Sequence, residues 1–195
     1  MKAVILVLLE PASSEDGYIS KYIPLTEKHI DFNLFEIHVM GSYSGLRALK
    51  KRFDNVYSIP FCPTATHGFG LYLGYLSYLT VAFFKVVQLV PKIGAFVLMS
   101  LGGHAYSGLI VAVTAKLLRR RSVVRVSEPT RYIVWSRYRF GPLISCFINI
   151  LEQVTFSLSD VVISNRDMSW YSSKIGEKQR VLSQGVNLSL FNPEV

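Results

Sequence analysis

Short apolar runs alternate with longer helix-like segments along almost the whole chain, and this alternation constrains the fold more than any other sequence feature. The apolar runs have the length of buried strands and lie at 3–9, 33–40, 55–61, 94–100, 122–129, 160–164 and 178–184. Alternating strands and helices indicate right-handed crossovers between parallel strands. We therefore expect a Rossmann-like α/β fold, a mostly parallel sheet with helices on both faces.

The first apolar run resembles the start of a secretory signal peptide, because Lys2 precedes it. The acidic stretch "EPASSED" follows the run in place of a small-residue cleavage site, so we interpret 3–9 as a buried strand. The two cysteines, Cys62 and Cys146, are far apart and have no metal-ligand or CxxC spacing. We therefore expect no metal site, no disulfide framework and a reducing compartment.

The segment 69–90, "FGLYLGYLSYLTVAFFKVVQLV", contains Lys85 as its only charge. Its length fits a membrane span, yet the strands on either side of it must share one sheet. Three alternatives are open: a span, a buried helix, or a helix half-immersed in the membrane interface. Tyr72, Tyr75 and Tyr78 have a three-residue spacing that suits the headgroup zone, which makes them candidate membrane-binding residues.

A second candidate membrane contact is "RYIVWSRYRF", in which Trp135 lies near Arg137 and Arg139. Such mixtures of cations and aromatic rings are typical of interfacial anchors, although nucleic acid or plain solvent are alternatives. Half of the residues are hydrophobic and the formal net charge is +8. This combination favours an anionic membrane surface over nucleic acid. We expect a peripheral location at the cytoplasmic face of the membrane and no nucleic-acid partner.

The end of the chain has a series of short motifs in a well-defined order. Ser159-Asp160 precedes a strand that ends at Ser164, and "QGVN" at 184–187 then leads to "FNP" at 191–193. This frame resembles the end of the N-terminal domain in the family-4 retaining glycosyltransferases of the GT-B type. That family has Asn-Gly-Val-Asp at the turn, so Gln184 and Asn187 are departures. More loosely, 94–129 resembles the central strand, helix and strand of the family.

The resemblance implies one half of a GT-B fold, with 1–185 as the N-terminal Rossmann-like domain and 186–195 as the start of an interdomain linker. In the family the C-terminal domain makes most of the contacts to the nucleotide-sugar donor, and we expect that domain to lie outside these 195 residues. The implied partners are that domain or a separate donor-binding subunit, an anionic membrane surface and a lipid-linked acceptor. No cofactor is expected, because the nucleotide-sugar is a co-substrate.

The implied function is that of the acceptor-binding half of a membrane-associated glycosyltransferase. It would transfer a sugar from a nucleotide-sugar to a lipid-linked or other amphiphilic acceptor, and this chain alone would be nearly inactive. The alternative is a non-catalytic membrane adaptor or activator subunit of a split glycosyltransferase. Two departures favour the adaptor: Ser127-Glu128-Pro129 stands where the family commonly has a histidine loop, and Asp16-Gly17 replaces a glycine pair.

Candidate site residues lie at the expected carboxyl ends of the strands, where ligands bind in open parallel sheets. Gly102, Gly103 and His104 come before a helix, whose free N–H groups favour an anion. Glu128 lies among many arginines and should stay ionised, so it suits the binding of sugar hydroxyls or an ion pair with Arg125 or Arg131. His104 and Asp16 could instead cap helices.

From these positions we select two groups of candidates. The candidate catalytic residues are Glu128 and His104. The candidate substrate-binding residues are Asp16, Gly17, Gly102, Gly103, Ser127 and Arg131.

Overall fold

A single parallel sheet of seven strands organises the part of the chain that the computed structural model describes, residues 2–10, 23, 26, 30–31, 33–60, 69–101, 105–126, 141–164 and 175–181. The strands are β1 Ala3–Leu8, β2 Phe35–Ser42, β3 Asn55–Ile59, β4 Val97–Ser100, β5 Arg121–Val126, β6 Val161–Ser164 and β7 Gln179–Val181. Their order across the sheet is β3-β2-β1-β4-β5-β6-β7, and every neighbouring pair is parallel.

Helices connect the parallel strands. The helices whose bounds the described residues give are α1 Leu46–Lys50, α2 Phe69–Ile93, α3 Ala105–Leu117 and α4 Gly141–Leu158, with short 3-10 turns at Tyr43–Gly45 and Gly176–Lys178. From β1 the chain builds the sheet toward β3, and α2 then carries it back to β4 on the other side of β1. The β1/β4 boundary is therefore the topological switch point. This architecture confirms the predicted Rossmann-like α/β fold.

Both faces of the sheet are covered, which explains why the strands read as continuous apolar runs. Leu6, Leu8 and Leu98 lie in one buried cluster, which contains residues of α2, α3 and α4. The residues that alternate with these on the same strands lie in a second cluster, which includes Ala48 and Leu49 of α1. They are Ile5, Val7 and Met99. Alternation along each strand thus divides the core into two layers.

Helix α2 packs one face against the sheet and leaves the other exposed. Tyr78, Ala82, Val86 and Val90, four residues apart, are buried in the first cluster. On the outward side Leu76 is 61% exposed and Phe84 is 59% exposed, Thr80 and Pro91 are also exposed, and Val87 is half-buried. Among the described residues, this helix alone is apolar enough to cross a membrane by length and composition, over Leu76–Ile93, and 22% of that stretch is buried.

The predicted headgroup position of Tyr78 is wrong, because its side chain is fully buried and faces the sheet. A spacing of three residues drifts around a helix of 3.6 residues per turn, so the three tyrosines do not stay on one face. The side chains of Tyr72 and Tyr75 lie outside the described residues. Since α2 connects two strands of one sheet, it lies along that sheet as a crossover.

Asp160 ties three elements together at the amino-terminal edge of the sheet. Its Oδ2 accepts hydrogen bonds from the backbone N–H and the hydroxyl of Ser122 at 2.8 and 2.9 Å, and Lys116 Nζ donates to Oδ1 at 3.2 Å. The hydroxyl of Ser122 also accepts from the Asp160 N–H. Burial raises the pKa of the Asp160 carboxyl, but these hydrogen bonds outweigh burial and hold it below its ordinary 3.8.

The neighbouring Ser159 is buried, and its hydroxyl donates to the carbonyl of Thr155 within α4. In this structure the Ser159-Asp160 pair therefore joins α4 to β6 and β5. It does so at the amino-terminal edge of the sheet, opposite the carboxyl ends of the strands. The predicted domain limit at 185 and the linker 186–195 lie outside the described residues and stay predictions.

Candidate functional site

Polar side chains stand at the carboxyl ends of four strands, on the face that α2, α3 and α4 cover. Ser42, Glu10, Ser100 and Ser164 end or follow β2, β1, β4 and β6, and all four are buried. Each lies two positions after a residue of the first apolar cluster, as Glu10 does after Leu8. Residues two apart on a strand point to the same face of the sheet, so these polar residues continue the face of that cluster. The sheet thus changes from apolar to polar where parallel strands usually present ligands.

Glu10 and Ser107 join the two sides of the switch point. Glu10 follows β1, Ser107 lies in the first turn of α3, and the Ser107 hydroxyl donates to Glu10 Oε1 at 3.4 Å. A carboxyl group beside a helix N-terminus is favoured by the helix dipole, which explains why this acidic side chain can be buried there. The pair places a hydrogen-bond acceptor at the carboxyl edge, beside the first turn of α3.

Ser100 contributes a second polar group at the same point. Its Oγ is buried and has no hydrogen-bond partner among the described residues. A buried hydroxyl without a partner is costly and therefore suggests a functional role or a ligand contact. Helix α3 comes close to Ser100 because Gly108 has no side chain, and a Cβ at Gly108 would lie 3.5 Å from Ser100 Oγ.

Two further contacts fix the ends of the row. Ser42 and Ser44 share a hydrogen bond of 2.7 Å, and Gln179 Nε2 donates to Ser164 Oγ at 2.7 Å. These groups are hydroxyls, a carboxyl and an amide, the types that bind sugar hydroxyls. Within the described ranges no three His, Cys, Asp or Glu side chains come together as a metal site. The arrangement at this edge is therefore suited to hydrogen-bonding recognition.

The candidate residues selected from the sequence lie outside the described residues. These are Asp16, Gly17, Gly102, Gly103, His104, Ser127, Glu128 and Arg131, together with the proposed anchors Trp135, Arg137 and Arg139. Strands β1, β4 and β5, after which the first eight of them follow, all end at the carboxyl edge. Their convergence on one cleft stays a prediction.

Sequence reasoning missed Glu10. In the sequence, the acidic stretch that begins at Glu10 marks only the end of the first strand, whereas in the structure Glu10 is 4% exposed and bonded to Ser107. The available signal was an acidic residue placed directly after a buried parallel strand, which is a position where ligands bind.

No model of a known protein family matches the chain, and no curated protein sequence matches it. The solved structures give a likeness in fold. A UDP-GlcNAc 2-epimerase from Neisseria meningitidis bound to UDP-GlcNAc matches 91% of this chain and 45% of that one, with a TM-score of 0.58 and 10% identity. The MnaA protein of S. aureus in complex with UDP matches 93% of this chain and 44% of its own, with a TM-score of 0.59 and 12% identity.

A third structure, HepE of Anabaena with UDP and glucose, matches 97% of this chain and 47% of that one, with a TM-score of 0.56 and 15% identity. At these identities the likeness shows the fold alone, a Rossmann-like domain of the kind found in GT-B proteins. This chain spans less than half the length of each of these three proteins.

Proposed function

We propose that this chain is the acceptor-side half of a glycosyltransferase that uses a nucleotide-sugar and works at a membrane surface. The observation that carries the proposal is the polar row at the switch point, with Glu10 and Ser107 in hydrogen-bond contact across it. A parallel sheet of this topology binds ligands at that edge, and hydroxyl and carboxyl groups suit a sugar.

The donor half of the reaction is proposed to lie on another domain or subunit. The three similar structures were solved with UDP or UDP-GlcNAc, and this chain corresponds to less than half of each. In this proposal, the part of the protein described here forms one wall of a two-domain cleft. The motifs at 159–193 support retaining transfer of the family-4 type, with a nucleoside diphosphate as the leaving group.

The membrane part of the proposal is supported by α2 and by charge. The outward face of α2 exposes Leu76 and Phe84, and the chain has a formal net charge of +8. An apolar helix face on a basic protein suits the surface of an anionic bilayer. We therefore propose that α2 lies at the interface and that the acceptor is lipid-linked or otherwise amphiphilic.

Glu128 and His104 are the proposed catalytic residues, because Glu128 follows β5 and His104 follows β4 in the sequence, and both strands end at the carboxyl edge. Glu10 is added here as a residue that positions the α3 N-terminus through Ser107. In the alternative function, a membrane adaptor of a split enzyme, neither Glu128 nor His104 takes part in turnover.

Transfer of a radiolabelled sugar to lipid tests the proposal. The chain is combined with the polypeptide that supplies the facing domain, and radiolabelled UDP- and GDP-sugars are offered with membrane lipid extract as acceptor. We expect label in the organic phase and a ~100-fold loss in Glu128→Ala and His104→Ala, the scale of a lost acid–base group. Asp54→Ala, an exposed change at the opposite edge of the sheet, is the matched control.

The results separate the two functions. Transfer that is unchanged in Glu128→Ala and in His104→Ala would support the adaptor and contradict the catalytic assignment. Absence of lipid-linked label from every sugar nucleotide in the complete complex would overturn both.

A further inference from the structure

A groove at the outer edge of the sheet has the chemistry of an anion site. It lies between α2 and the edge strand β3 and has a volume of about 350 Å³. Met40 and Leu89 line it with apolar side chains, whereas the side chain of Val56, a further lining residue, packs on the opposite face of the sheet. Strand β2 and strand β1 separate it from the β1/β4 switch point, so it is distinct from the candidate site described above.

The polar lining of the groove comes mainly from one side of α2. Lys85, Gln88 and Lys92 are three and four residues apart and so follow one another along the same side of the helix. Lys85 Nζ donates to the carbonyl oxygen of Ser58 on β3 at 2.7 Å. This contact uses one of the three N–H donors of the ammonium group and holds it at the mouth of the groove.

The positive charge of the groove is not balanced by its own lining. Among the described residues that line it, two are lysines and none carries a carboxyl group. The carboxyl group of Glu36 lies outside this lining and is linked to it through His38. His38 Nε2 lies 3.0 Å from Glu36 Oε1, and His38 Nδ1 lies 3.0 Å from Tyr57 Oη. Two cations beside a concave apolar floor attract an anion that also carries carbon.

Tyr57 keeps this surface compatible with an anion. Burial, and then the charge of Glu36, raise the pKa of the Tyr57 phenol above its ordinary 10.0. The phenol that lines the groove therefore stays neutral at physiological pH and does not repel a negative ligand. Its ring stacks on His38 at 5.7 Å between centroids, which holds it in place.

We propose that the α2/β3 groove binds a phosphate ester with a short apolar portion, the chemistry shared by the headgroup of an anionic lipid and by a soluble phosphate ester. The ammonium groups of Lys85 and Lys92 bind the phosphate oxygens, and Gln88 donates a further hydrogen bond. The carbon skeleton of the ligand lies on Met40 and Leu89. The groove adjoins the exposed side of α2 at Phe84, four residues before Gln88, so a lipid could reach it without leaving the bilayer surface.

Two probes distinguish the sources of the phosphate. Glycerol 3-phosphate is titrated into the labelled chain and followed by amide chemical shifts, and vesicles of phosphatidylcholine with or without phosphatidic acid are used in co-sedimentation. We expect shifts centred on Tyr57, Ser58 and Gln88, or sedimentation that requires phosphatidic acid. Lys92→Gln should weaken the interaction ~10-fold, as expected for one lost charge-assisted hydrogen bond.

The control is Lys50→Gln, which removes a charge that is also exposed from α1 on the opposite face of the sheet. Lys92→Gln leaves the contact between Lys85 and Ser58 intact, so it tests the site without loosening the edge strand. A response to glycerol 3-phosphate supports a soluble ester, and a response to vesicles alone supports a lipid headgroup. The proposal is overturned if neither probe responds, or if Lys50→Gln weakens binding as much as Lys92→Gln. No sugar transfer is needed for either readout.

Discussion

Tyr78 of α2 donates a buried hydrogen bond of 2.6 Å from its hydroxyl to the carbonyl oxygen of Leu9, directly after β1. The bond joins the crossover helix to the strand end that precedes Glu10. The Leu9 N–H in turn donates to the carbonyl of Met40 on β2. Tyr78 thus fixes the position of the β1 terminus, and with it one side of the candidate site.

Replacing Tyr78 by Phe removes the donor and keeps the ring. We expect the free energy of unfolding to fall by about 1–3 kcal/mol, because the Leu9 carbonyl loses a partner in a buried position. Chemical denaturation measures the change, and Tyr43→Phe, at a tyrosine that is 64% exposed, should have almost no effect. Equal stabilities of Tyr78→Phe and the wild type would show that the hydrogen bond contributes little.

The fold was predictable because every strand of this parallel sheet is covered on both faces. A continuous apolar run such as Ala3–Leu8 is readily identified as a buried strand when helical segments lie on either side of it. The alternation of strands and helices then predicts that neighbouring strands are parallel. The pattern of apolar residues could not predict whether the side chain of Tyr78 is buried. A tyrosine can point its ring to a core or its hydroxyl to a headgroup, and only the contact with Leu9 decides between the two.

The candidate site was less accessible to sequence reasoning than the fold. Serine is a common residue, and Ser100 and Ser107 belong to the candidate site because β4 ends at one and α3 begins near the other. Glu10 becomes part of the site through its hydrogen bond with Ser107. Contacts between residues 97 positions apart depend on the strand order, which composition does not give. The Ser159-Asp160 pair, which carried the resemblance, has a structural role in joining β5 and β6.

Gly108 allows α3 to lie close to the sheet, and a side chain there should disturb the packing. A Cβ at this position would be 2.6 Å from Val124 Cγ1 and 3.3 Å from Thr155 Cγ2. We expect Gly108→Ala to lower the free energy of unfolding by about 1–3 kcal/mol, the usual cost of overpacking. Thermal or chemical denaturation provides the measurement.

A double variant tests the cause of that loss. Val124→Ala removes the methyl group that the new Cβ would meet, so Gly108→Ala should cost less in the Val124→Ala background than in the wild type. If the two changes are simply additive, close approach to Val124 is not the reason for glycine at this position.

The outward face of α2 should be needed for binding to vesicles. Phe84→Glu places a charge on this face, and we expect ~10-fold weaker binding to acidic vesicles at low salt, the equivalent of losing the burial of one aromatic side chain. Leu34→Glu is the control, since Leu34 is 50% exposed in the turn before β2 and Phe84 is 59% exposed. Co-sedimentation that is equally weakened by both changes would indicate a general effect of charge and would count against α2 as the contact surface.

Asp160 should make the stability of the domain depend on acid. Its pKa is lower in the folded chain than the ordinary 3.8, so the folded state favours the ionised carboxylate. The resulting stabilisation is complete above the unfolded pKa and is lost as the pH falls through the folded pKa. Asp160→Asn keeps an acceptor for Ser122 but has no charge for Lys116, so we expect a loss of about 1 kcal/mol at neutral pH.

The size of that loss should itself depend on pH. Denaturation curves at a series of pH values from about 7 down to below 3.8 should show the wild type and Asp160→Asn converging at the acidic end, because protonated Asp160 and asparagine are both neutral. Asp54→Asn, at an exposed aspartate near the same edge, serves as the reference and should show no such convergence. A difference between wild type and Asp160→Asn that stays constant over this range would mean that the carboxylate acts through packing alone, and the charged contact between Lys116 and Asp160 would then contribute nothing to folding.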